Sequence, residues 1–452
     1  MDHRDKQIEQ LININLQLME RVRFLERRVA ELEKELARYR NPKNSRNSSV
    51  PPSKDENRPK KNQSLREETD RKPGGQPGHK GHTLEMTSRP DKTENHIPSF
   101  CTCCGRDLSE VPAELSCRRQ VFDLPVIRPV CTEHRSYVKS CPCGEKNRAA
   151  FPAGINAPVQ YGSGVETMVG YLYARQYVPY IRMKELLGDC FGIGLSEGSI
   201  DNIIGRFARK AAPIYAMIKS AVSKSPVIGA DETGAKVDGV KQWVWTYQTE
   251  EHTLLAISES RGLKAMKAHF PDGFGNAVLC HDAWRAYFSY SENLHQLCCA
   301  HLLRDLNYIV ERYRSKWAES LRALFGEAIL LKKNLPDADL GKNIAAMEER
   351  MDKLLGLPVH PEHEEAVTFQ KRLLKYRQSL LTFLYHPKVP PDNNASERAV
   401  RNVKVKQKIS GQFKSDIGAE NFCVIRSVVD TLIKRSEKVL ENLNHIARLQ
   451  PE

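Results

Sequence analysis

Three carboxylates in this 452-residue chain have surroundings that suit a metal-ion site. Asp231 lies in Pro226-Val-Ile-Gly-Ala-Asp231-Glu-Thr-Gly, Asp282 in Ala277-Val-Leu-Cys-His-Asp282-Ala-Trp-Arg-Ala-Tyr, and Glu397 in Asn393-Asn-Ala-Ser-Glu397-Arg-Ala-Val-Arg401. Apolar runs stop at Asp231 and Asp282, and Glu397 opens a basic helix, so each acid is read as delivered at the end of an element. Magnesium (or manganese) takes oxygen ligands, usually one or two protein carboxylates plus substrate phosphates. Two such ions about 3.5–4 Å apart assist both the attacking and leaving oxygens of an in-line phosphoryl displacement. Three converging acids therefore point to phosphodiester chemistry.

Most of the 56 Asp and Glu residues will be solvated surface. An acid that follows Val-Ile-Gly-Ala is different, because a carboxylate in a core strand needs a partner or a metal. Glu232 rivals Asp231, since strand alternation points only one of two neighbours into a site. His281, His295 and His301 are read first as structural. Arg304 and Arg398 suit phosphate contacts through their guanidinium forks. Trp284 and Tyr287 are read as core residues that could alternatively stack on an unpaired base. Glu397, Arg401, Lys404 and Lys408 recur at spacings of four, three and four, on one helical face. The stretch from Arg398 to Lys414, which includes Lys406, carries no acid, so its field favours polyanions. Asn394 reads as an N-cap with Glu397 three residues on, a capping-box spacing.

The elements that would position these residues follow in quick order. Val227 to Asp231 reads as a short buried strand, Asp238-Gly239 as a hairpin turn, and Trp243 to Tyr247 and Thr253 to Ile257 as strands. A helical stretch, Leu263 to Phe270, precedes a strand ending at Asp282 and another at His295 to Ala300, which leads into a helix begun at His301. This is the order of an α/β RNase H-like core.

In its motifs the chain resembles the large DDE-type transposases of the insertion-sequence-sixty-six family, nearly end to end. The resemblance is carried by Asn47-Ser-Ser-Val-Pro-Pro-Ser53, Gly74-Gly-Gln-Pro-Gly-His79, Asp231-Glu-Thr233, His281-Asp-Ala-Trp284 with Tyr287, Cys298-Cys-Ala-His301-Leu-Leu-Arg304, Asn393-Asn-Ala-Ser-Glu397-Arg398 and Ser410-Gly-Gln-Phe413. It implies an RNase H-like catalytic domain whose acids match Asp231, Asp282 and Glu397, and it favours Asp231 over Glu232. It also implies a mostly helical insertion, for which the gap of 115 positions between Asp282 and Glu397 leaves room. Small companion proteins encoded by the same element are a further implication.

Seven of the 12 cysteines fall between Cys101 and Cys143, and no secretory segment precedes them. In a reducing compartment that density suggests zinc rather than disulfides. Cys101-Thr-Cys-Cys104 has a structural-zinc spacing, with Cys141-Pro-Cys143 as the second pair. The second pair is one residue short of the family's pattern, and Cys103, Cys131 or His134 are alternative ligands.

The first 39 residues carry heptads: Ile8, Asn15, Val22, Val29 and Leu36 in one position, Leu11, Leu18, Leu25, Leu32 and Tyr39 in the other. A narrow stripe over about five heptads predicts a coiled coil that joins copies of the chain. Residues 41–98 read as a basic disordered linker, 99–153 as a zinc-ribbon-like module, and 154–222 as a helical segment containing a possible helix-turn-helix. In the last, helices Glu166 to Arg175, Arg182 to Phe191 and a helix capped by Ser196 that runs to Arg209 surround Gly192-Ile-Gly194. Residues 223–310 form the first part of the core, 311–389 the helical insertion, and 390–452 the third acid's helix and a basic helical tail.

A net charge of +13 and a pI near 9.1 suit a nucleic-acid partner. No run is long enough to span a bilayer, and the expected location is cytoplasmic. The expected activity is metal-dependent cleavage at the ends of a mobile element, followed by strand transfer into target DNA. The alternatives are an RNase H-like nuclease or resolvase that cuts without joining, and a non-catalytic, zinc-containing DNA-binding regulator.

Overall fold

The computed structural model describes residues 3–40, 42–44, 47, 55, 84–125, 127–290, 292–334 and 340–450. The chain divides into two units, Lys60–Val130 and the remainder, Met1–Pro59 with Cys131–Glu452. Most of the expected linker lies outside the described residues, as do the motifs 48–53 and 74–79.

The smaller unit has no helix or strand among its described residues. It is held by local pairs: Gln120 accepts from the Thr87 amide and donates back to the Thr87 carbonyl, and Phe100 bridges to Asp107 across a cysteine-bearing turn.

The larger unit begins with α1 (His3–Arg40). Leu11, Leu18, Val22, Leu25, Val29, Leu32 and Leu36 are all exposed on it, and the Ile8 side chain is outside the described residues. A short hairpin, β1 (Val138–Ser140) and β2 (Lys146–Arg148), precedes the helices α2 (Ser163–Ala174), α3 (Tyr180–Phe191) and α4 (Glu197–Ser223). Gly192 ends α3 in the left-handed region, and Ser196 caps α4 by accepting from the Ser199 amide at 3.0 Å. The helix–turn–helix outline is therefore present. However, α4 continues through Pro213 past the expected end at Arg209, and it buries Ile200, Ile203, Ile204, Phe207 and Ala211. Its apolar face makes it a core helix.

A five-stranded sheet follows. β3 (Val227–Val237) and β4 (Val240–Gln248) are antiparallel, joined by Asp238 (φ 45°) and Gly239 (φ 78°). Positive φ at both central residues is the geometry that selects Asp-Gly in two-residue hairpins. β5 (Thr253–Ser258) pairs with β4; α5 (Leu263–His269) then leads to β6 (Val278–His281) and β7 (Leu294–Leu297), which run parallel to β3. The order is β5-β4-β3-β6-β7. β3 is longer than the sequence suggests, so Asp231 sits within the strand, opposite Thr246, and not at its end.

The remaining helices are α6 (Cys299–Tyr313), α7 (Lys316–Asn334), α8 (Leu340–Gly356), α9 (Glu364–Lys375), α10 (Thr382–Tyr385), α11 (Asn394–Ser410), α12 (Asp416–Lys434) and α13 (Val439–Arg448). Two hydrophobic cores lie on opposite faces of the sheet. Ile228, Ala230 and Leu279 join α2–α5, α12 and α13, while Val278 and Cys280 join α6–α10. The period-two alternation along β6 produces that division. Near the expected linker's start, Asn47 is buried and donates to Glu311 on α6 at 2.7 Å, so this part is docked. Among the described residues, no helix is long and apolar enough to cross a membrane.

Candidate active site and cysteine turns

Glu397 is positioned by the way α11 lies along β3. Asn393 caps the helix by position, but its side chain donates across to the Ala230 carbonyl at 2.8 Å and its Oδ1 accepts from Ser396 at 2.6 Å. Asn393, rather than Asn394, is thus the N-cap; Glu397 falls four residues on and makes no capping box. Further along, Lys404 donates to the Gly234 carbonyl at 2.8 Å. Past the helix end, Phe413 donates to the Lys236 carbonyl at 3.0 Å and accepts from the Asp238 amide at 2.9 Å. Strand and helix are tied at start, middle and end. Gly229 permits this approach, because a β-carbon there would stand 2.7 Å from Asn393 Oδ1 and 2.8 Å from Ser396 Oγ.

The acids converge electrostatically. Burial holds the Asp231 carboxyl well above the usual range, and the charges of Glu232, Asp282 and Glu397 push in the same direction. Asp282 immediately follows β6, and its Oδ1 accepts from the Trp284 amide at 2.9 Å. Glu397 Oε1 is buried without a hydrogen-bond partner, as is His301 Nδ1, 3.6 Å away. Arg304 Nη2 lies 3.7 Å from Glu397 Oε2. A carboxyl raised by burial and by like charges and an orphaned carboxylate oxygen both fit a divalent cation held by oxygen ligands.

Glu232 is engaged elsewhere. It is buried, accepts from Tyr287 Oη and pairs with Arg261 at 2.8 Å, while burial raises its carboxyl. The Arg261 guanidinium in turn lies 4.8 Å from the Trp243 ring centre and 4.0 Å from that of Trp284. Sequence reasoning assigned Arg261 no role, and nothing in its surroundings, Glu259-Ser-Arg-Gly, advertises one. Tyr287 is fully buried and Trp284 is 36% exposed. His281 is buried, bonded to His295 at 2.9 Å, and pushed down to about 3 by burial, which makes it a neutral structural residue. A cleft of about 280 Å³ opens beside Asp282, lined by Trp284, Cys298, His301, Asp305 and Arg372 among others.

The basic face divides. Arg398, Arg401 and Lys408 are exposed. Lys404 is committed to β3, and Lys406 is buried 4.5 Å from the Tyr173 ring centre, its ammonium pushed down to about 8 by burial. Lys404 ties the helix to the strand, whereas Lys406 is held inside.

The cysteine turns share a design. Cys101 donates its amide to the Arg106 carbonyl and accepts from Gly105, whose φ is 71°. In the β1–β2 hairpin, Cys141 does the same with Glu145 and Gly144, whose φ is 93°. Backbone amides of Cys104 and Cys103 lower the Cys101 thiol, and that of Glu145 lowers Cys143, with further hydrogen bonds to Cys101 from Cys104 and to Cys143 from Cys141. Thiols facing amides, Cys101 half-buried and Cys143 exposed, fit thiolate ligands of zinc. Cys141-Pro-Cys143 keeps the turn despite its short spacing.

Family models cover most of the chain. Residues 158–421 match the transposase IS66 family, residues 98–144 match the zinc-finger binding domain of transposase IS66, and residues 2–85 match a family of unknown function (DUF6444). No curated protein matches. The chain belongs to the IS66 transposase family. Its finger region supports zinc binding.

Proposed function

We propose that the protein is a DDE transposase with an RNase H-like core, which cleaves DNA at the ends of its element and joins the freed 3′-hydroxyl to target DNA. The observation that carries this reading is the buried Asp231 carboxyl within β3, raised by burial and by the charges of Glu232, Asp282 and Glu397 on adjoining elements. The antiparallel β3-β4-β5 meander extended by parallel β6 and β7 supports the core assignment.

The three carboxylates would hold magnesium or manganese, which when bound supplies charge stabilisation for in-line displacement at phosphorus. Asn393, Ser396 and Gly229 fix Glu397 against β3. Exposed Arg398, Arg401 and Lys408 bind backbone phosphates, and Arg304 sits where it can orient Glu397 or meet a phosphate. Water is the nucleophile of the first step and a DNA hydroxyl of the second. Cys101, Cys104, Cys141 and Cys143 are the proposed zinc ligands, and the exposed stripe of α1 pairs with a second copy.

The test is magnesium-dependent nicking of DNA bearing the element's ends. Asp282→Asn should abolish it with DNA binding retained; cutting at the parent rate sinks the assignment. Joined products distinguish a transposase from a nuclease that only cuts.

A further inference from the structure

The start of α6 and the start of α11 bring a thiol, an imidazole and a carboxylate together. Donor atoms of Cys298, His301 and Glu397 all lie within 4.8 Å of one another. His301 Nδ1 and Glu397 Oε1 are 3.6 Å apart, too far for a hydrogen bond, and neither has another partner. Ligands at about 2.0–2.2 Å from a tetrahedral zinc ion stand about 3.4 Å from each other, so the gap is the size of a shared ion. The sulfur is fixed in place as well: Cys298 is buried, and its Sγ accepts from the Asn393 amide at 3.2 Å. Two backbone turns thus aim three donors at one point.

We propose that Cys298, His301 and Glu397 form a second zinc site, separate from the cysteine turns, whose fourth position is open to water or phosphate. Sulfur and imidazole nitrogen select zinc over magnesium. Binding releases the Cys298 thiol proton to solvent. Because Glu397 belongs to both ligand sets, zinc here withdraws it from magnesium and silences cleavage; that consequence rests on the function proposed above, whereas the site itself does not.

The experiment counts zinc bound per full-length chain after equilibration with zinc and removal of the excess. Cys298→Ser and His301→Gln should each bind one equivalent less than the parent while retaining its circular dichroism spectrum. In the cobalt-substituted protein, the parent-minus-Cys298→Ser difference spectrum should carry a thiolate-to-cobalt charge-transfer band. Equal zinc counts in the parent and both variants, or a difference spectrum without that band, overturns the site. If the site binds zinc but the chain never cleaves DNA with magnesium alone, the proposed function fails and the site stands. If the chain cleaves and zinc does not inhibit it, the silencing role fails.

Discussion

A β-carbon on Gly229 would stand 2.7 Å from the side-chain oxygen of Asn393, so the strand that carries Asp231 and the helix that carries Glu397 meet at a point where only hydrogen fits. Gly229→Ala should push α11 off β3. Overpacking of this kind costs about 1–3 kcal/mol. The expected result is a lower denaturation midpoint together with a loss of metal-dependent cleavage; wild-type values of both would show that the close approach is not needed.

Asp231 gives a pH signature. Its folded-state carboxyl titrates above its unfolded value, so its contribution to stability is present below the unfolded value, about 3.9, and is lost as pH rises through the raised one. Without divalent metal, Asp231→Asn should therefore melt higher than the parent at neutral pH. The difference should narrow in acid and again when magnesium supplies countercharge. Thermal melts of both proteins across pH, with and without magnesium, check the sign.

Burial raises the Glu232 carboxyl too, but this acid has charge and hydrogen-bond partners of its own. Glu232→Gln leaves Arg261 without its charge partner and weakens the Tyr287 bond, a loss of about 1–3 kcal/mol. The denaturant midpoint should fall for Glu232→Gln and rise for metal-free Asp231→Asn at neutral pH, which separates the strand's two acids by function.

The cations of α11 should divide by exposure. Replacing Arg398, Arg401 or Lys408 with alanine should reduce the salt dependence of DNA binding by about 0.9 in the logarithmic slope for each phosphate no longer neutralised. Lys406→Met should leave that slope unchanged. It should also stabilise the protein at pH 7, because Lys406 titrates at about 8 when folded, below the usual lysine value of about 10.4. Stability linked to Lys406 rises with pH between those values, so the variant's advantage should fade above about pH 10.

Substituting Leu18 and Leu25 together with lysine should disrupt the exposed stripe of α1. Sedimentation should then report a species near the 51.4 kDa of one chain, against a larger one for the parent. Equal masses would remove α1 from the assembly.

Much of the site could be read from residue types. Apolar runs and the Asp-Gly turn located four of the five sheet strands to within a few residues, because turn chemistry and β-branched or aromatic clusters are local signals. The far half of β3 was missed, since Thr233-Gly-Ala-Lys-Val owes its extended form to pairing with β4 rather than to its own propensity. Helical periodicity grouped Lys404 with Arg401 and Lys408, but it is blind to the carbonyl of Gly234 that engages one of them. The glycine inside Val-Ile-Gly-Ala was the one available hint of close approach by another segment. Arg261 had no comparable marker, because the groups that employ it, Glu232 and the two tryptophans, come from separate strands and loops.

The helices α7–α10 also set a timetable. Ribosomes that add about 5–20 residues per second need roughly 6–23 s to travel from Asp282 to Glu397. Throughout that interval, the growing polypeptide has made two of its three acids. Products that stop short anywhere in this interval still carry α1, yet lack Glu397; under the proposed pairing of α1 they would occupy a partner without contributing a complete set of the proposed ligands.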